Sequence, residues 1–140
     1  MLKKKFYSHL MSQGKKNTCE NLFLKSLKAV QKNTKKDHKS LIQLSIIDNT
    51  TVIQLKHVKK KRRRTTKEFP FILNKKNRIT QSIKSILKIS NEKKKEKFFH
   101  NLSNTILASS DYKNNILKTK ETKHNEALAK KKYAFFRWFC

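Results

Sequence analysis

The sequence predicts a mainly α fold: a six-helix, bundle-like domain with a two-stranded β-hairpin protruding between the third and fourth helices. Three observations predict it. Apolar residues recur at helical spacing in six segments, the period changes to alternation over 50–73, and the middle of that stretch, KKKRRRTTK at 59–67, is too charged to bury. The 140 residues read as one domain, 1–140, with the arm at about 50–73, and a chain of this length buries roughly 70% of its unfolded surface.

The first helix rests on Phe6, Leu10 and Met11 and is expected to end at Gly14, the only glycine in the chain, in a left-handed terminal position. A second helix near 17–33 places Cys19, Leu22, Phe23, Leu27 and Val30 on one face, and Asn17 with Glu20 has the spacing of a capping box. The third starts at Asp37 and is expected to bury Leu41, Leu44, Ile47 or their neighbours; the density of Leu41, Ile42, Leu44, Ile46 and Ile47 predicts deep burial. Residues 50–58, TTVIQLKHV, and 68–73, EFPFIL, read as strands, with Phe69, Phe71 and Leu73 on one side. Pro70 has no N–H to give a ladder, so its strand belongs at an edge. At about 3.3 Å per residue, the arm reaches roughly 20 Å from the body.

The fourth helix, about 77–90, has the strongest amphipathic pattern: Ile79, Ile83, Ile86, Leu87 and Ser90 face inward, with Arg78, Lys84 and Lys88 at polar positions. The fifth, about 94–108, carries Phe98, Phe99, Leu102, Ile106 and Leu107, and Ser109-Ser110-Asp111 is expected to break it. After a polar loop to Asn115, a last helix runs from about 117 into the 130s through Glu121, His124, Ala127, Leu128, Ala129 and Tyr133. Of the terminal aromatics, Phe135, Phe136 and Trp138 are read as packing residues rather than base-stacking platforms.

The charge sets the partner class. Lys and Arg number 36 against 9 Asp and Glu, a formal +27, and self-repulsion of that size calls for a polyanion. A 36% hydrophobic content separates the chain from a disordered basic tail. One glycine excludes a phosphate-cradling loop, the five histidines (9, 38, 57, 100 and 124) fall in separate segments, and no carboxylate pair is recognisable, so no enzyme is expected. Of the histidines, only His9 and His57 are candidates for being drawn together by folding. Cys19 and Cys140 offer neither a zinc spacing nor a disulfide framework, and neither a cofactor nor a metal is expected. No apolar run reaches the roughly 18 residues of a membrane span, and the start has no signal-peptide core.

The composition is skewed towards residues with AT-rich codons, with 31 Lys, 12 Asn and only five Arg. Against that bias, the consecutive Arg62, Arg63 and Arg64 stand out. Arginine grips phosphate in two-point geometry and stacks on bases, so the arm reads as an RNA probe. Arg78 and Arg137 stand out on the same ground. The bias itself points to an organellar genome, with the mitochondrion favoured and a plastid-type organelle as the alternative.

These features together resemble one family. FYSHLMSQGKKNTCENLF at the N-terminus, the ribbon ending EFPFIL, the helix opening with Arg78, and LKTKETKHNEALAKKKYAFFRW at 117–138 resemble the universal small-subunit ribosomal protein seven family. Lys118, Glu121, His124, Ala127, Ala129, Lys131, Ala134, Arg137 and Trp138 fall on the family pattern without a gap. The resemblance implies binding to the 3′ major domain of small-subunit rRNA and a part in assembling the subunit head. It also implies a hairpin bordering the exit-site tRNA and the outgoing mRNA, and small-subunit protein eleven as a neighbour.

On this reading Lys3, Lys4, Lys5, Lys15, Lys16, Lys56, Lys75, Lys76, Arg78, Lys118, Lys120, Lys131 and Arg137 meet rRNA. Lys59, Lys60, Lys61, Arg62, Arg63 and Arg64 form the tip on the tRNA and mRNA side. No membrane partner or homo-oligomer is expected. The sequence departs from the family pattern in a basic N-terminal arm reduced to Lys3–Lys5, a tip of KKRRR in place of a glycine-containing one, a longer loop near 109–116, and an end just after Trp138. A DNA-compacting or regulatory protein is the alternative, and a basic membrane-surface peptide is a third reading.

Overall fold

The computed structural model describes residues 2–34, 37–59, 66–92, 97–110 and 115–139. Among them run six α-helices, α1 (Leu2–Leu10), α2 (Lys16–Asn33), α3 (His38–Asn49), α4 (Lys75–Glu92), α5 (Phe98–Ser110) and α6 (Asn115–Ala129), followed by a 3-10 segment, Lys131–Phe139. The strands β1 (Ile53–Lys59) and β2 (Thr66–Ile72) pair antiparallel between α3 and α4. The expected helical architecture with its inserted hairpin is therefore present.

α5 carries no acidic or basic residue apart from His100, and it packs against α2, α3 and α4 together. Around it Phe23, Leu27, Val30, Leu41, Ile42, Ile46, Ile83, Ile86, Leu87, Leu102 and Ile106 form one buried cluster. α1 closes the cluster by laying Phe6 against Phe23, with ring centroids 5.2 Å apart, while Tyr7 meets the same ring edge-on at 5.3 Å. Of the inward face predicted for α4, Ile83, Ile86, Leu87 and Ser90 are buried and Ile79 is half-buried, and Ser82 joins them.

Several local expectations are corrected. α1 ends at Leu10, leaving Met11 outside the helix and exposed. Gly14 is not a cap directly at that end: it follows Gln13 in a left-handed pair (φ +72° and +54°) that turns the chain into α2. No atom lies within 4 Å of where a Cβ at Gly14 would stand, so the backbone angle is what favours glycine there. The capping box does not form. α2 begins one residue earlier, with Lys15 at its N-cap, Thr18 Oγ1 donating to Lys15 O at 2.9 Å, and Glu20 reaching Lys16 at 3.9 Å.

In α3, Asp37 caps as expected, accepting from Lys39 N at 3.4 Å. Its dense apolar run nevertheless buries a single stripe, Leu41, Ile42, Ser45, Ile46 and Asn49, and leaves Leu44 and Ile47 44% and 63% exposed. α5 ends at Ser110, inside the cluster expected to break it and two residues past the expected 108. Ser109 is buried inside the helix, donates to Ile106 O at 2.8 Å and meets Ser45 Oγ across the interface at 2.5 Å. α6 stops at Ala129 rather than in the 130s, and Leu128 and Ala129 are exposed while Ala127 is buried.

The ribbon runs in register from Ile53 opposite Ile72 to Lys59 opposite Thr66, with Pro70 opposite Leu55 on what is, in a two-stranded sheet, necessarily an edge strand. Phe69 is buried and Phe71 half-buried, whereas Leu73 lies just past the strand end, with its N–H donating to Val52 O at 2.9 Å.

Candidate nucleic-acid interface

Two groups of cations sit at opposite ends of α4, whose 18 residues span about 27 Å at 1.5 Å per residue. At its N-terminal end, Lys75, Lys76 and Arg78 adjoin the root of the hairpin. Arg78 Nε donates to Leu73 O at 2.7 Å, so this guanidinium fixes the angle between β2 and α4. Lys75 and Lys76 are exposed. Beside them a groove is lined by Gln54, Lys56, Phe71, Ile72, Leu73, Asn74 and Asn77, with Lys56 Nζ 5.4 Å from the centre of the Phe71 ring.

The hairpin is clamped from its other side. α6 packs on β1 and the 3-10 segment packs on β2. Phe69 meets Tyr133 edge-on at 6.2 Å, and the carboxylate of Glu68 is held between His57 Nδ1, at 3.0 Å, and Lys130 Nζ. Lys120 Nζ donates to Asp48 O at 3.0 Å and ties α6 to the end of α3. Lys118 and Lys131 are exposed.

The second group lies where α1 crosses α4. His9 shares a shallow cavity with Lys84, Leu87, Lys88, Asn91 and Glu92. Burial, then the charges of Lys84 and Lys5, hold the His9 imidazole below its ordinary 6.5. Lys15 lines the neighbouring hollow with Thr18, Asn91 and Phe98. Lys3, Lys4 and Lys16 are exposed on α1 and at the start of α2, Lys3 beside Lys39 and Gln43 of α3, and Lys5 is half-exposed. Burial also raises the Cys19 thiol, as does Glu20, so that buried sulfur stays protonated and is a packing residue.

The expected phosphate ligands thus fall in separate places: Lys3, Lys4, Lys5, Lys15 and Lys16 on α1 and the turn into α2, Lys56, Lys75, Lys76 and Arg78 at the hairpin root, Lys118 and Lys120 on α6, and Lys131 just after Lys130, which meets Glu68. Two of them, Arg78 and Lys120, are engaged inside the protein and brace elements. Arg137's side chain and residues 60–64 of the tip lie outside the described part, as does the side chain of Lys59. His9 and His57 do not converge: one faces Lys84 and the other Glu68. Sequence reasoning passed over Lys84 and Lys88; their four-residue spacing on the polar face of α4 was the available clue. The packing role expected for Phe135 is corrected, since that ring is 82% exposed. Phe136 and Trp138 fall outside the described side chains.

Among the described residues no group of three or more His, Cys, Asp or Glu is placed to hold a metal, and no helix is long and apolar enough to cross a membrane. Exposed cations towards both ends of one helix suit a phosphate backbone, whose charges release counterions on binding.

Comparison with known proteins gives the same direction. Residues 1–131 match the family described as ribosomal protein S7p/S5e. Among similar proteins, the small ribosomal subunit protein uS7 of Gemmatimonas aurantiaca is 25% identical over 134 residues, covering 96% of this chain and 85% of its own length. That of Mycoplasma mobile is 27% identical over 134 residues with the same coverage. The Rhizobium etli protein is 26% identical over 137.

Proposed function

The chain belongs to the S7p/S5e family of ribosomal proteins, and from that premise we propose that it is a structural, non-catalytic constituent of the small ribosomal subunit. It binds the 3′ major domain of the small-subunit rRNA and helps assemble the head. The observation that carries the reading is the pairing of two exposed cation groups at the ends of α4 with a family match over residues 1–131. The body docks through Lys3–Lys5, Lys15 and Lys16 on α1 and the turn into α2, through Lys75 and Lys76 beside the hairpin root, and through Lys118 and Lys131. The tip, Lys59–Arg64, borders the exit-site tRNA and mRNA path, and small-subunit protein eleven is a neighbour. The AT-biased composition supports an organellar ribosome, with the mitochondrion ahead of a plastid-type organelle.

The test is paired. A tagged chain should sediment with small subunits of the organelle after washing at high salt; release into the soluble fraction as salt rises would identify a general polyanion binder, such as a DNA-compacting protein. With Arg62, Arg63 and Arg64 all changed to Glu, incorporation should persist while exit-site tRNA occupancy falls. Lost incorporation with normal occupancy per assembled subunit would make the tip an rRNA anchor instead.

A further inference from the structure

We infer that the groove at the root of the hairpin is a receptor for a single unpaired RNA nucleobase, with the Phe71 ring as its stacking surface and Gln54, Asn74 and Asn77 as its edge readers. The inference rests on the RNA-binding reading above and adds to it a contact to a base rather than to phosphate.

The chemistry of the lining is what distinguishes this groove from the rest of the basic surface. Its seven residues include no acid, one lysine, one aromatic ring and three carboxamides. A surface that only neutralises phosphate needs cations and little else. Carboxamides are both donors and acceptors, which phosphate cannot use in full and a base edge can. The three here are exposed, and none of them makes a side-chain hydrogen bond within the described residues. What sets the groove apart is that three carboxamides converge on one ring; two others in the chain are spent internally, Asn49 Nδ2 donating to Ser45 O at 2.6 Å and Gln31 Nε2 meeting His38 Nδ1 at 2.8 Å.

The ring is positioned as well as available. Phe71 sits one residue from the end of β2, half-buried, with Leu73 and the 62%-exposed Ile72 extending an apolar floor towards α4. Arg78 holds that floor against the helix through Leu73 O. Lys56, 5.4 Å from the ring centre, is a weak and displaceable partner at an exposed site, and it is free to move to the phosphate of a nucleotide whose base takes its place. Lys75 and Lys76 stand on the adjoining first turn of α4 for the flanking phosphates. An aromatic face, hydrogen-bonding edges and a cationic rim together are how proteins hold splayed-out single-stranded bases, and a base inside a duplex cannot reach such a groove.

The test uses the full chain and a single-stranded RNA oligonucleotide carrying one 2-aminopurine in a run of uridines, with the same strand annealed to its complement as comparison. Stacking on Phe71 should quench the fluorophore in the single strand and leave the duplex unaffected. Phe71→Leu should abolish the quenching and weaken binding about tenfold, within the range of one base–aromatic stack. The double change Gln54→Ala and Asn77→Ala touches only exposed side chains, should leave the thermal melt unchanged, and should weaken binding several-fold. Binding without quenching, or variants that bind like the parent chain, would overturn the inference and leave the ribosomal reading standing. A failure to bind any single strand would also overturn it, and small-subunit sedimentation of the same chain would then decide separately whether the ribosomal reading survives.

Discussion

Ser26, Ser82, Ser90, Ser103 and Ser109 are buried within helices, and each returns its hydroxyl to a carbonyl three or four residues back, as in Ser26 Oγ to Phe23 O at 2.7 Å and Ser90 Oγ to Ile86 O at 2.8 Å. A serine satisfied in this way behaves as a small core residue. In a chain with one glycine and five alanines, it supplies much of the close approach between helices. This is why the expected end of α5 fell two residues short: the hydroxyls of Ser109 and Ser110 are absorbed by the helix's last turn. The large apolar residues were easier to read, because four of them on α4 repeat at a clean period and all point the same way. Ile83, fully buried at the centre of that face, carries the corresponding prediction. Ile83→Asp strands a carboxylate among hydrocarbons and should cost several kcal/mol, a large part of the stability of a small domain. Ile83→Val should cost only about 1 kcal/mol. Thermal melts of the two variants check this; an Asp variant that melts with the parent chain would show that the face is open to water.

At the scale of elements, the ribbon was legible from its alternation and from Pro70, but its clamp was not. Glu68 reads as an ordinary strand acid until Lys130, from a distant part of the chain, is folded against it, as Tyr133 is against Phe69. No local pattern announces such a contact. The exposed Leu44 and Ile47 have the same origin, since the face α3 buries is chosen by α5 rather than by its own composition. Glu68→Gln removes the anion between His57 and Lys130. It should loosen the ribbon by about 1 kcal/mol, the upper end for ion pairs open to solvent, since His57 is largely exposed and Lys130 and Glu68 partly so. Amide hydrogen exchange should then quicken across β1 and β2 while α2, α4 and α5 keep their protection. Equal protection in both proteins would place the clamp in Phe69 and Tyr133 alone.

For the molecule as a whole, a charge of +27 on 140 residues opposes compaction until anions gather around it. Far-ultraviolet circular dichroism of the isolated chain should show incomplete helicity at low salt and a clear gain on adding an rRNA fragment. Full helicity without RNA at low salt would mean that the α5-centred core outweighs the repulsion. The charge was legible in composition; its division into two stations was not, because it depends on α1 crossing one end of α4 while the hairpin leaves from the other. The run of α4 between those stations also makes the protein a gauge. RNA segments that engage Lys75 and Lys88 at once must lie about 20 Å apart along the helix, and the second engagement is strong only when the first already holds its partner at that distance. Unfolded RNA with the same phosphates satisfies one station at a time, so affinity rises with correct RNA folding, and the helix length becomes a tolerance against which the RNA fold is measured.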